Sequence, residues 1–125
     1  MSQSSRLSPC VLIVEPSAEE REVLRTSLER RGMRIWEAAE AKAGLELARL
    51  HEPDVIVLDL ETQHAEDEQV QFEYGSQAVA DARPALIILG RACRTIALPK
   101  DQVIAKPYHY GPLIHKIEQL AAKAA

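Results

Sequence analysis

The chain has 125 residues, of which 46% are hydrophobic and only 4% aromatic, and its formal net charge is -4 at pH 7. This length suits one domain with an aliphatic core, so we expect a single domain over 1–125 with a core from about residue 9 to about residue 122. The acidic balance, with no basic stripe, argues against a nucleic-acid surface.

The sequence shows no sign of export or membrane insertion. No apolar run approaches membrane-spanning length, and the N-terminal residues M-S-Q-S-S-R have no apolar signal core. Cys10 and Cys93 lack metal-ligand or redox spacing, which is typical of thiols in a reducing compartment. We therefore expect a cytoplasmic protein with no membrane contact.

Short apolar segments predict the strands of a parallel sheet. Pro9–Val14, Asp54–Leu60 and Pro84–Leu89 each contain a continuous apolar run rich in Val, Ile and Leu, a pattern typical of strands buried on both faces. Met33–Ala38 and Val103–Ala105 predict two shorter strands.

Helical patterns alternate with these strands. Ser17 and Glu20 form a capping box that predicts a helix start, and Gly32 is a suitable stop. Ala41–Leu50 has helical apolar spacing, and Pro112 is suited to open a last helix. The alternation predicts an α/β fold with a doubly wound parallel sheet.

The segment between the third and fourth strands gives conflicting signals. Val70, Phe72 and Tyr74 alternate with polar residues, which is the period of a strand, whereas Ser76–Ala82 has a short helical pattern capped by Ser76. Because a right-handed crossover to a parallel strand requires a helix, we expect a helix in this segment.

A fourth helix is predicted to be shortened or missing. Arg91–Asp101 contains no helical pattern of useful length, and Pro99 would interrupt one.

Charged residues lie at the carboxyl ends of three predicted strands: Glu15 at the first, Asp59 at the third and Lys106 at the last. Open α/β sheets bind ligands at the carboxyl ends of their strands. For Asp59, spacing alone leaves a capping role and a chemical role equally open.

The motifs V-L-I-V-E, V-I-V-L-D and V-I-A-K-P end strands one, three and five, and the spacing from Asp59 to Pro84 completes the pattern. Over nearly the whole chain this pattern resembles the receiver domain of two-component response regulators. The resemblance implies a flavodoxin-like five-stranded parallel sheet of order 2-1-3-4-5. It maps the phosphoacceptor to Asp59, the phosphate-pairing lysine to Lys106 and the first acidic residue of a metal-binding pair to Glu15. It also implies a cis peptide bond before Pro107.

The implied chemistry is formation of an aspartyl phosphate. A divalent cation, usually Mg²⁺, neutralises the phosphate charge, and a lysine pairs with its oxygens. Glu15 and Asp59 are then the candidate metal ligands. A histidine kinase, a phosphotransfer protein or another signalling protein is the implied partner, and no enzyme activity is implied. Alternatively, Lys106 forms a structural ion pair with Asp59 and Glu15.

The sequence departs from the family at the positions that bind the metal, contact the phosphate and transmit the signal. It lacks the second acidic residue, the hydroxyl after strand four, the switch aromatic of strand five, and the Pro and Gly of the loop after Asp59. These departures predict weak Mg²⁺ binding and an atypical or pseudo-receiver that signals by protein contact. The residues concerned are Pro16, Leu89 or Gly90 depending on register, Val103 and Thr62-Gln63-His64.

Three alternatives remain open. The first is a phosphorylatable receiver that uses Asp59. The second is a phosphatase similar to haloacid dehalogenases, since Asp59-Leu60-Glu61 imitates their paired acids, although that family carries the pair after its first strand. The third is a flavin-binding domain, against which the loop E-P-S-A-E has Glu15 where a phosphate would lie and no glycine.

The resemblance also implies a partner surface around the fourth helix, strand five and the last helix. We expect a partner or a second copy to contact Arg94–Pro99, the stretch Tyr108–Tyr110 and the outer face of the last helix near His115.

Overall fold

The computed structural model describes residues 8–80, 84–90 and 98–124. The strands in these ranges are β1 (Cys10–Val14), β2 (Arg34–Ala38), β3 (Val55–Asp59), β4 (Ala85–Leu89) and β5 (Val103–Ile104). The helices are α1 (Ala18–Glu29), α2 (Ala41–His51), α3 (Glu68–Ala80) and α4 (Tyr110–Ala124), and a 3-10 turn covers Lys100–Gln102.

The five strands form one parallel sheet of order β2-β1-β3-β4-β5. The central register places Val57 of β3 beside Ile13 of β1 and beside Ile87 of β4. This confirms the predicted flavodoxin-like fold class and its strand order.

Side chains alternate across the sheet and build a core on each face. One face packs against α1 and α4, and the other packs against α2 and α3. The first core includes Val11, Ile13, Val55, Val57, Ile87, Leu89, Leu24, Leu28, Leu113 and Ile117. The second includes Leu12, Val14, Ile56, Leu58, Leu86, Ile88, Leu45, Ala48, Val70 and Tyr74.

The start of α1 follows the predicted capping box in part. The Ser17 hydroxyl accepts a hydrogen bond from the Glu20 amide at 3.2 Å, and Gly32 after the helix has a φ of +87°. The reciprocal bond is replaced, because the Ser17 amide donates to Glu15 Oε2 at 3.0 Å. This loop therefore ties the start of α1 to Glu15, the residue that follows β1.

The predicted start of α3 is wrong, because the helix begins at Glu68 and runs through Gly75. Val70 and Tyr74 are buried while Phe72 is 59% exposed, so the apparent strand alternation contains a buried pair four residues apart on one helix face. Asp67 Oδ1 accepts from the Gln69 amide at 2.9 Å and caps the first turn.

A buried phenol joins α3 to α2. The Tyr74 hydroxyl donates to the Ala41 carbonyl at 2.6 Å, and the Tyr74 side chain is fully buried. A Cβ added at Gly44 would overlap the Tyr74 hydroxyl and lie 2.7 Å from Val14 Cγ2. Gly44 thus permits the close approach of these two helices and β1.

At the opposite edge of the sheet from β5, Trp36 of β2 stacks on His51 of α2. Their ring centroids are 3.6 Å apart at an interplanar angle of 10°, and Trp36 stays 37% exposed. Trp36 thus packs against α2.

Between β4 and β5, the described residues contain only the 3-10 turn. This fits the prediction that the helix between these two strands is shortened or missing. Cys93 and the part of the predicted partner surface at 94–97 lie outside the described residues. In the described ranges no helix is long and apolar enough to cross a membrane.

Candidate functional site

Strand alternation brings the predicted site residues to one place. Glu15, Asp59 and Lys106 each come two residues after a side chain of the α1 and α4 core, namely Ile13, Val57 and Ile104. Because alternate side chains of a strand share a face, all three continue the same face at the carboxyl edge of the sheet.

Asp59 and Lys106 form an ion pair. Asp59 is fully buried, and its Oδ2 lies 2.6 Å from Lys106 Nζ. Its Oδ1 accepts a hydrogen bond from the Glu61 amide at 2.8 Å. Lys106 Nζ also lies 3.2 Å from Glu61 Oε1, so Glu61 is the second carboxylate at the ammonium. The predicted ion pair of Lys106 with Glu15 is wrong, because Glu15 faces Asp59 and the Ser17 amide instead.

Glu15 is a buried carboxyl group beside a second one. Burial and the neighbouring Asp59 carboxyl raise the pKa of Glu15 to about 7. Within the described residues, Glu15 Oε1 accepts no hydrogen bond, whereas Asp59 Oδ2 has the Lys106 ammonium 2.6 Å away.

The ammonium of Lys106 compensates this negative charge. Burial alone would lower the pKa of Lys106, but Asp59 and then Glu61 outweigh it and hold that pKa above its usual value. The lysine is therefore positively charged throughout the physiological range.

Two tyrosines border the site. The Tyr108 hydroxyl donates to Glu20 Oε1 at 3.3 Å, and the Tyr108 and Tyr110 rings meet edge to face at 5.8 Å. Burial, followed by the charge of Glu15, raises the pKa of Tyr108. An open cleft, here called the acid cleft, is lined by Glu20, Glu61, Lys106, Pro107, Tyr108 and Tyr110.

Glu20 and Glu61 were not predicted as site residues. The sequence offered Glu20 only as a capping residue and Glu61 only as the second acid of a phosphatase-like pair. The peptide bond between Lys106 and Pro107 is cis, as predicted.

No side-chain hydroxyl from the end of β4 reaches the site. Leu89 pairs with Asp59 in register, but its side chain is buried in the core, and Gly90 has a φ of +129° with Leu60 Cβ against it. The Thr62 hydroxyl is near, yet it donates to the Asp59 carbonyl at 2.6 Å. Neither register that the sequence left open supplies the missing group.

The donor set fits Mg²⁺ poorly. The exposed Pro16 has no side-chain oxygen, and an ammonium already faces Asp59 Oδ2. The described residues contain no group of three or more His, Cys, Asp or Glu side chains placed to hold a metal. Mg²⁺ prefers six oxygens in octahedral geometry, whereas here two carboxyl groups share their space with a lysine.

The predicted partner residues lie along the β5 edge of the molecule. Tyr108 and His115 line a groove between β5 and α4, together with Ile104 and Leu113. Tyr110 lines the neighbouring acid cleft instead.

Comparisons with known proteins agree with this geometry. No family model matches the chain. It is 31% identical over 113 residues to the KDP operon transcriptional regulatory protein KdpE of Escherichia coli, a match that covers 82% of this chain and 47% of KdpE. The chain thus spans about half the length of this relative.

Solved structures share the fold. The receiver domain of the Francisella response regulator 1452 superposes with a TM-score of 0.73 at 21% identity, covering 94% of this chain and all of that domain. The chemotaxis response regulator CheY4 of Vibrio cholerae superposes with a TM-score of 0.68 at 16% identity, covering 90% of this chain and 98% of CheY4.

The fold, the residues at the strand ends and the similarity to KdpE show that this chain belongs to the receiver domains of two-component response regulators. The predicted resemblance to this domain is confirmed by the similarity to KdpE in sequence and to the Francisella receiver domain in structure.

Proposed function

We propose that this chain is an atypical or pseudo-receiver, a non-enzymatic cytoplasmic signalling domain that acts by protein contact and not through a phosphorylated Asp59. The observation that carries the proposal is the ion pair between Lys106 and the fully buried Asp59, formed beside a position where Pro16 replaces a carboxylate. Lys106 compensates the charge of Asp59 at a site where Pro16 removes one of the carboxylates that would help to hold a divalent cation.

The features around the ion pair support this proposal. A phosphoryl group on Asp59 would need a hydroxyl to hydrogen-bond its oxygens and a metal ion to neutralise its charge. Leu89 and Gly90 offer no hydroxyl, and Pro16 offers no metal ligand. Val103, at the place of the switch aromatic, packs into the core of the opposite sheet face. A structural change at Asp59 therefore cannot be transmitted to the outer surface by an aromatic side chain at position 103 of β5.

The proposed partner surface comprises Tyr108, Tyr110 and His115. All three belong to the part of the chain from Lys106 into α4, which directly follows the edge strand β5. We propose that a histidine kinase, a phosphotransfer protein, another signalling protein or a second copy of the chain contacts this surface. KdpE is a transcriptional regulator, which is consistent with a role in signalling.

Titration with acetyl phosphate or beryllofluoride in the presence of Mg²⁺, followed by NMR, tests the proposal. We expect the amide resonances around Asp59 and Lys106 to stay in place. A beryllofluoride adduct at Asp59 with shifts that extend to Tyr108 would contradict it.

A phosphorylatable receiver is the second candidate. The meeting of Glu15, Asp59 and Lys106 at one edge favours it, because these are the residue types that aspartyl phosphate formation requires. In that case Glu15 and Asp59 would hold Mg²⁺, and the same titration would detect the phosphorylated state.

A further inference from the structure

The strand β2 is one outer edge of the sheet, and part of its backbone points away from the molecule. The Arg34 amide donates to the Pro9 carbonyl at 2.8 Å, so alternate residues from Arg34 onward bond to β1. The residues between them, Ile35 and Glu37, therefore point their N–H and C=O groups outward. Within the described residues these backbone groups have no hydrogen-bond partner.

An exposed aromatic side chain lies at the centre of this edge. Trp36 is the middle residue of β2, and its ring is 37% exposed although it stacks on His51. Edge strands are usually protected from pairing by a proline, a lysine, a bulge or a very short length. The strand at the other edge, β5, has only two residues, whereas β2 has five residues in continuous register with β1 and contains neither proline nor lysine. The β2 edge is therefore open to a further strand.

A second β2 strand fits this edge by symmetry. In an antiparallel pair with a two-fold axis at Trp36, Ile35 of each copy lies opposite Glu37 of the other. Each such pair exchanges two hydrogen bonds, so every outward N–H and C=O group of both residues gains a partner. The two Trp36 side chains lie directly opposite each other on the sheet face that packs against α2, and such aromatic cross-strand pairs stabilise a sheet.

The charges along the strand favour this antiparallel arrangement. Arg34, at the start of β2, is exposed and donates only to the Ser8 carbonyl at 3.5 Å. Glu40, two residues beyond the end of β2, is also exposed, and neither side chain forms an ion pair in the described part of the chain. Antiparallel pairing brings Arg34 of each copy to the acidic end of the other strand, whereas parallel pairing would place like charges side by side.

We propose that two copies of this chain join through their β2 edges into a dimer in which the two sheets continue as one. The inference goes beyond the proposed function, because this edge lies across the sheet from Tyr108 and Tyr110. The dimer leaves that partner surface accessible on both copies.

The test is the oligomeric state of the full chain, measured by size-exclusion chromatography with light scattering over a range of concentrations. We expect the wild type to be a dimer. Because Trp36 lies opposite its own copy, Trp36→Lys and Trp36→Glu should each place like charges together and raise the dimer dissociation constant at least about tenfold. An equimolar mixture of these two variants should recover association, because a lysine then lies opposite a glutamate.

Phe72→Lys is the matched control, since it replaces an exposed aromatic residue of α3 with the same charge. It should dimerise as the wild type does. The inference is overturned if the wild type is monomeric, if Trp36→Lys leaves the dimer intact, if the mixture does not recover association, or if Phe72→Lys weakens the dimer equally. It is also overturned if Tyr108→Ala with Tyr110→Ala dissolves the wild-type dimer, because the contact would then lie at the partner surface.

Failure of the proposed function is a separate result. A chain that is phosphorylated at Asp59 and dimerises through β2 contradicts the pseudo-receiver proposal and supports this inference. A chain that is not phosphorylated and stays monomeric gives the reverse outcome.

Discussion

At the residue scale, Lys106 supplies the charge that allows Asp59 to be buried. We expect Lys106→Met to lower the free energy of unfolding by about 3 kcal/mol, because removing one partner leaves a buried carboxylate uncompensated. Asp59→Asn should be neutral or stabilising, since it relieves repulsion from Glu15 and keeps an oxygen for the Glu61 amide. Urea denaturation measures both effects.

The control for this prediction is Lys42→Met, which removes a lysine from an exposed position on α2. Its effect should stay within about 0.5 kcal/mol. Strong destabilisation by Asp59→Asn would show that the carboxylate has a structural role of its own.

Glu15 makes stability depend on pH. Its pKa is about 7 in the folded chain, against 4.5 for the ordinary group, so the folded state holds this proton more tightly. The resulting stabilisation is complete below pH 4.5 and is lost as the pH rises through 7. The lost amount is about 3 kcal/mol at most.

Comparison of the wild type with Glu15→Gln over this pH range isolates the effect. Other groups titrate in both proteins, so the difference in their free energies of unfolding belongs to Glu15. We expect that difference to shift in favour of Glu15→Gln as the pH rises. A constant difference would contradict the prediction.

Pro16 is expected to limit Mg²⁺ binding. Pro16→Asp should raise Mg²⁺ affinity at least about tenfold over the wild type, because it adds a carboxylate next to Glu15. Pro16→Ala controls for the loss of proline without adding a ligand and should bind as weakly as the wild type. Calorimetry measures the Mg²⁺ affinities of the three proteins. A tight Mg²⁺ site in the wild-type chain would contradict the prediction.

The site was predictable from the sequence only in part. Strand periodicity together with the resemblance predicted that Glu15, Asp59 and Lys106 meet. The parts played by Glu61 and Glu20 were not predictable from local pattern. The first depends on how the turn after β3 folds back toward Lys106, and the second on a contact with Tyr108 across 88 residues of sequence.

At the scale of the elements, the α2–α3 contact depends on Gly44. Gly44→Ala should destabilise the fold by about 1–3 kcal/mol, because the new methyl group would overlap the Tyr74 hydroxyl. Thermal denaturation measures the loss, and Tyr74→Phe in the same chain should recover part of it. Gly111→Ala is the matched control, since nothing lies within 4 Å of its added Cβ.

The misplaced start of α3 shows why local pattern fails here. Strand and helix periods overlap when buried residues are four apart, as Val70 and Tyr74 are. Phe72 completed the strand pattern although it is exposed. Only the requirement for a crossover between parallel strands favoured the helix, and that argument does not fix the residue at which it begins.

At the scale of the whole molecule, the partner surface is expected to act independently of Asp59. Tyr108→Ala with Tyr110→Ala should abolish partner or self association through this surface, whereas Asp59→Ala should leave it unchanged. The reason is that Val103 cannot transmit a change from the site. Light scattering or a pull-down compares the variants. Loss of association in Asp59→Ala alone would favour the phosphorylatable receiver.

Local patterns located the five strands to within one residue at each end, because β1, β3 and β4 contain short apolar runs and β2 and β5 are short segments between helical patterns and turns. They did not order them. The order came from the resemblance, since the motifs at three strand ends correspond to positions in a known sheet.

The stacked pair at the β2 edge has an optical consequence. Trp36 is the one tryptophan of the chain, and it lies on His51 at the far side of the sheet from Tyr108 and Tyr110. The fluorescence of Trp36 therefore reports the melting of the β2 edge. Tyrosine absorbance is weighted toward the β5 edge, where Tyr108 and Tyr110 lie. Coincident melting curves would indicate that the sheet unfolds as one cooperative unit, and separate curves that its edges come apart in sequence.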